Sequence, residues 1–223
     1  MSEDAELQAL MRLTAWLSPA FPIGSFAYSG GLERAVHDGL VSDADGLAEW
    51  ISALIRHGSV WNDAVLLAGA HGASGDLGQL TEIAELAEAL AGSQERHQEA
   101  MLLGEAFLAA AGAWPHPVLQ WRDGRMAYPV AVGLVTGIHG IALESVLALF
   151  LHALASQGVS AGIRLGIAGQ KDGVRILAGL EHLIAQTARL AARSSLDDLG
   201  SAAVQADIAS LRHETQTTRL FRS

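Results

Sequence analysis

Apolar residues recur at helical spacing along almost the whole chain. Leu7, Leu10, Met11, Leu13 and Leu17 share one face of a first predicted helix, with Asp4 placed to cap it. Ser29 opens a short second helix through Leu32, Ala35 and Val36. Ser42 and Asp45 have the form of a capping box ahead of Leu47, Trp50, Ile51, Leu54 and Ile55. After a break near Gly58 the same pattern resumes from Trp61 to Ala70. Asp76 opens a helix carrying Leu80, Ile83, Leu86 and Leu90, and Gly92-Ser93 separates it from a helix at Gln94–Ala111. Two apolar helices are predicted at 129–141 and 144–156, then a Gly-rich turn region (Gly158, Gly162, Gly166, Gly169). A long helix to Arg193 and a last one starting at Ser195 complete the pattern. No stretch shows the period-2 alternation of a strand. The expectation is an all-α, single-domain helical bundle of about ten helices.

Three stretches depart from this periodicity. Residues 18–33 carry Pro19 and Pro22, then Gly24, Gly30 and Gly31, a combination that interrupts helices. Phe21, Ile23, Phe26 and Tyr28 lie within it and gain stability only when buried, so the segment is expected to be pinned against helices of the body or a partner. The run Trp114-Pro-His-Pro-Val-Leu-Gln-Trp-Arg-Asp-Gly holds two prolines and a turn at Asp123-Gly124. It reads as a connection inside one domain. The third stretch is the end, 212–223, where no apolar stripe continues through Thr215–Thr218. This extended tail is read as a unit separate from the helical body at 1–211. Leu220 and Phe221 are its apolar anchors, and its arginines are free to pair with acids.

Composition narrows the function. Half of the 223 residues are hydrophobic and only 5% aromatic, which suits a helical core. The net charge of −10 disfavours nucleic acid, whose phosphates need a basic surface. The absence of cysteine excludes disulfides, thiolate metal sites and Cys nucleophiles. Residues 2–6 are acidic where a secretory signal would be basic, so the cytoplasm is the expected compartment. The longest uncharged run, 126–143, contains Pro129, glycines and His139, and fits a buried helix better than a membrane span.

Motif chemistry is sparse. Gly158-Val-Ser160-Ala-Gly162 matches a nucleophile elbow, but that motif needs a strand before it, so a serine hydrolase using Ser160 is the weaker alternative. The nine histidines show no metal-ligand spacing, and no P-loop or dinucleotide fingerprint exists. An all-α small-molecule-binding protein is a further alternative. Gly169-Gln-Lys-Asp-Gly173 sets amide, ammonium and carboxylate together at a helix start, and Lys171 is the chain's only lysine.

Two terminal motifs supply a resemblance. Ser-Pro-x-x-Pro-Ile-Gly-x-Phe-x-Tyr-Ser-x-Gly-Leu-Glu, from Ser18, and Arg-His-Glu-Thr-Gln-x-Thr-Arg-Leu-Phe-Arg-Ser, from Arg212, closely resemble the urease accessory protein UreF family. Tyr128-Pro-Val-Ala-Val-Gly133 and Ser160-Ala-Gly-Ile-Arg-Leu165, followed by Gly169-Gln170, are similar to its middle landmarks. The chain departs from the family pattern at Gly30, at Ile167 (usually proline) and at Gly173-Val174 (often a repeated Gly-Gln). The resemblance implies a homodimeric, non-enzymatic chaperone that bridges UreD (also called UreH) and the GTPase UreG on apo-urease. Nickel would be handled by the complex and GTP bound by UreG, with no cofactor, membrane or nucleic acid bound by this chain. It further implies that Arg212, His213, Glu214, Arg219, Leu220, Phe221 and Arg222 meet UreD. The UreG-facing candidates are Tyr28, Glu33, Arg164, Gln170, Lys171 and Asp172.

Overall fold

The computed structural model describes residues 3–121 and 125–223, and the turn expected at Asp123-Gly124 lies outside them. Ten α-helices follow one another, with no strand among the described residues. They are α1 (Glu3–Trp16), α2 (Leu32–His37), α3 (Ala44–His57), α4 (Ser59–Gly72), α5 (Leu77–Ala89), α6 (Gln94–Ala111), α7 (Tyr128–Ile138), α8 (Leu143–Arg164), α9 (Gln170–Ala191) and α10 (Val204–His213). Short 3-10 turns sit at Ser25–Ala27, Pro117–Trp121 and Leu196–Asp198.

The centre of the molecule is α7, buried on nearly every side, lying along α4 and flanked by α6. Two glycines on α7 set that closeness. A Cβ at Gly137 would come 2.6 Å from His71 O of α4, and one at Gly133 would meet Leu67 O and stand 2.9 Å from Ala70 Cβ. Around this pair, α8 and α9 form an antiparallel hairpin, α3 leans on α4 and α9, and α10 packs on α2 and α6. Trp16, Phe107, Phe150, Leu67 and Leu134 are among the largest fully buried side chains. Helix α1 docks mainly by its C-terminal half, through Ala9, Leu13 and Trp16. Trp16 packs edge-on against Trp114 at 5.5 Å between ring centroids, while Leu7, Leu10 and Met11 are exposed.

Four local expectations change. Asp4 lies inside α1 rather than capping it. Asp43, not Ser42, caps α3, accepting from Gly46 N at 2.8 Å, and Asp45 is left to pair with Arg175. Helix α8 runs on through Gly158 and Gly162 to Arg164, where sequence reading expected a turn. These glycines are contact sites: a Cβ there would press into Ile51 and Leu47 of α3. Ser195 caps only a 3-10 turn, and the last helix begins at Val204. Ser160 therefore sits exposed in mid-helix with no strand before it, and no nucleophile elbow is formed. One described helix, Leu143–Arg164, is long and apolar enough to cross a membrane by length and composition, but its Val146, Leu147, Phe150 and Leu151 are buried in the bundle.

Candidate partner-binding site

The Pro/Gly segment and the chain's last residues, far apart in sequence, meet on one face. Phe21 N donates to Ser18 O at 2.9 Å, and its ring packs against Phe107 at 5.5 Å and Trp114 at 6.5 Å. Gly24 adopts a left-handed φ of 78°, open to glycine at no steric cost, and starts the Ser25–Ala27 turn. That turn is held by its backbone. Gln157 Nε2 donates to Ser25 O at 3.0 Å, and Arg164 Nη1 donates to Phe26 O. Tyr28 is buried as expected, but Phe26 is 73% exposed, because the turn that carries it packs through carbonyls and not through its ring.

Glu33, in the first turn of α2, is the organising residue. Although only 7% exposed, it accepts from Leu220 N at 2.6 Å, Phe221 N at 2.9 Å and His213 Nε2 at 3.1 Å. His213 is fully buried, and its other ring nitrogen faces Glu95 Oε2 at 2.6 Å, so the ring offers a donor to each carboxylate only with both nitrogens protonated. Arg219 also pairs with Glu95. Burial pushes the Glu33 carboxyl up, but the Leu220 and Phe221 amides and His213 outweigh it and hold it below its usual value.

The final residues continue the closure. Arg222 N donates to Ala27 O at 2.8 Å, and Ser29 N donates to Ser223 O at 2.9 Å. Ser223 Oγ donates to Glu99 Oε2 at 2.9 Å and lies 3.3 Å from Gly30 N. Exposure alternates along the last four residues: Leu220 and Arg222 face out, Phe221 and Ser223 face in. The Arg164 guanidinium covers the Phe221 ring at 4.2 Å. The sequence pairs Leu220 and Phe221 as one anchor; the fold splits them, spending Phe221 on its own chain.

Beneath Ser223 lies a cavity of about 230 Å³. The buried Asp63 and Glu99 and the half-buried Arg96 line it as an ionic cluster, with Arg96 paired to Asp63 and 3.5 Å from Glu99. Burial raises both carboxyls above their usual range against the pull of Arg96. None of these three residues was singled out from the sequence, nor was Glu95, and Ser29 was read only as a helix start. They are scattered over α4, α6 and the N-terminal segment; helical i,i+3 spacing links Arg96 to Glu99, but nothing in the spacing links α6 to Asp63 or Ser29.

The remaining candidates separate into two places. Tyr28 and Glu33 are buried, and Arg164 is bound into the tail cluster. Gln170 and Lys171 are exposed at the start of α9. There Asp172 Oδ2 accepts from Gly169 N at 3.1 Å, and Arg175 bridges Asp172 and Asp45 at 3.5 and 3.0 Å. Arg212 reaches Asp38 at 3.5 Å, and Glu214 Oε1 accepts from Gln94 N at 2.7 Å. Helix α10 runs to His213, so the boundary read at 211/212 falls inside it.

Comparison with known proteins gives the family of the chain. The UreF family profile matches residues 41–181. The urease accessory protein UreF of Rhizobium etli is 74% identical over 223 residues, covering the whole of both chains. Those of Agrobacterium fabrum and Rhizobium meliloti are 61% and 58% identical, again over the full length of each. The chain belongs to the UreF family of urease accessory proteins.

Proposed function

We propose that this protein is a non-catalytic scaffold of urease maturation that bridges UreD and the GTPase UreG while nickel is inserted into apo-urease. The observation that carries the reading is the closed terminal face. An irregular N-terminal segment and the tail are bonded together through Glu33, and they turn Phe26, Leu220 and Arg222 outward. Exposed apolar and arginine side chains on a braced backbone suit protein recognition, because little freedom is left to lose on binding. UreD is assigned to this face. UreG is assigned to the start of α9, where exposed Lys171 stands beside the Asp172–Arg175–Asp45 chain of ion pairs.

In this reading the scaffold works in the cytoplasm as a homodimer, with nickel as cargo of the complex and GTP held by UreG. The test is the nickel content of urease purified from a urease-positive cell lacking this chain. Apo-urease that becomes nickel-loaded on re-expression of the chain supports the proposal. Full nickel loading without it overturns the proposal.

A further inference from the structure

Helix α1 is seated on the ends of other elements. Trp16 lies 5.3 Å from the ring of His139, which ends α7, and 5.5 Å from Trp114 in the connection after α6. One turn back, Arg12 Nη1 lies 3.1 Å from His139 Nδ1. A guanidinium only donates, so His139 accepts at Nδ1. The ring is therefore neutral, with its one proton on Nε2, a buried atom. His116, in the same connection as Trp114, stands edge-on to His139 at 5.7 Å between ring centroids. The charged and titratable groups that face His139 are thus Arg12 from α1 and His116 from the connection, and each opposes a positive charge on the ring. Burial first, then these two groups, outweigh the favourable Trp114 backbone and hold the His139 pKa below its ordinary 6.5. The outer face of α1 adds no hold, since Leu7, Leu10 and Met11 are exposed.

We propose that α1 is an acid-sensitive arm, docked while His139 is neutral and released when His139 takes up a proton. A proton on Nδ1 would set N–H against N–H at the Arg12 contact and bring two cations together. Leu13 and Trp16 then leave their seat, and the Trp114 ring that Phe21 also packs against is bared. Release is local, because a helix held at a few side chains opens at lower free energy than the core around α4 and α7 unfolds. Other histidines respond differently. His97 faces Glu88 at 2.8 Å, and His213 faces Glu33 and Glu95, so a proton strengthens their contacts. The arm does not depend on the partner assignments above, since it acts within the isolated chain.

The test is amide hydrogen exchange of the full-length protein, resolved along the chain and corrected for intrinsic rates, at about pH 7.5 and about pH 5. The lower pH stays above the ordinary Glu33 value of 4.5, so the terminal face remains closed. Protection in α1, taken relative to α4 and α7, should fall roughly tenfold between the two. His139→Asn keeps an acceptor for Arg12 but takes up no proton, and should abolish that fall. If His139→Asn does not fold, Arg12→Gln decides: its amide either donates to Nδ1 or accepts from it, so the fall should shrink. Relative protection in α1 that is the same at both pH values in the parent overturns the arm. So does a fall that persists undiminished in the folded variant, which traces it to another group such as His116.

Discussion

His213→Ala is the most searching single change to the terminal face. The ring is fully buried and lies 3.1 Å from Glu33 and 2.6 Å from Glu95. Its loss removes two hydrogen bonds to charged groups, each worth about 1.5–3 kcal/mol. It also leaves two carboxylates facing one another across the vacated volume. Part of this is offset, because Leu220 N and Phe221 N still donate to Glu33 and Arg219 still pairs with Glu95. Breaking a buried pair by removing one partner costs about 3–5 kcal/mol, and with that residual support the expected loss is about 2–4 kcal/mol. For a chain of this length each kcal/mol moves the melting midpoint by about 2–4 °C, so the variant should melt roughly 4–16 °C lower. Urea titration followed by circular dichroism measures the free energy directly. A loss under about 1 kcal/mol would refute the reasoning, since it would mean that His213 is not the link between the two acids.

Other predictions follow from the same geometry. Glu33 is held below its ordinary value of 4.5 in the folded chain, so its contribution is present above that pH and is lost as pH falls through the lowered folded value. With His213, Glu95 and Arg219 facing the same site, acidification below the ordinary carboxylate range should release the Leu220 and Phe221 amides, read as NMR shifts moving toward unbonded positions; shifts that hold steady would count against it. Gly137→Ala puts a methyl 2.6 Å from His71 O and should destabilise by about 1–3 kcal/mol despite better helix propensity, whereas Gly179→Ala on α9, with open space around it, should be neutral or stabilising. Lys171→Ala should change UreG recruitment or GTP turnover in the assembled complex while leaving the melting curve of the isolated chain in place; no change in either would remove α9 from the UreG-facing surface.

Helix identity was legible because the apolar spacing and caps are strong: Asp76 caps α5 as the sequence indicates, while Ser93, read only as part of a break, caps α6. Where reading failed, a tertiary contact overrode a local rule. Gly158 and Gly162 look like turn residues, yet they are seats for Ile51 and Leu47 inside a helix whose burial outweighs the propensity cost. The terminal motifs flagged both halves of the candidate site, but not that they touch. Glu33 lies more than 180 residues from the amides it accepts from, and no spacing in the chain encodes such a contact. The Asp63–Arg96–Glu99 cluster was missed for a related reason: helical spacing pairs Arg96 with Glu99 on α6, but Asp63 joins them only once α4 and α6 are brought together.

The central claim, that the closed terminal face recognises UreD, is tested most directly by co-purification of UreD with the double variant Leu220→Asp, Arg222→Glu. Both side chains point outward, so the variant should melt like the parent. The account predicts that UreD is lost from the purified complex. UreD retained at the parental level, by a variant that is folded, would contradict it.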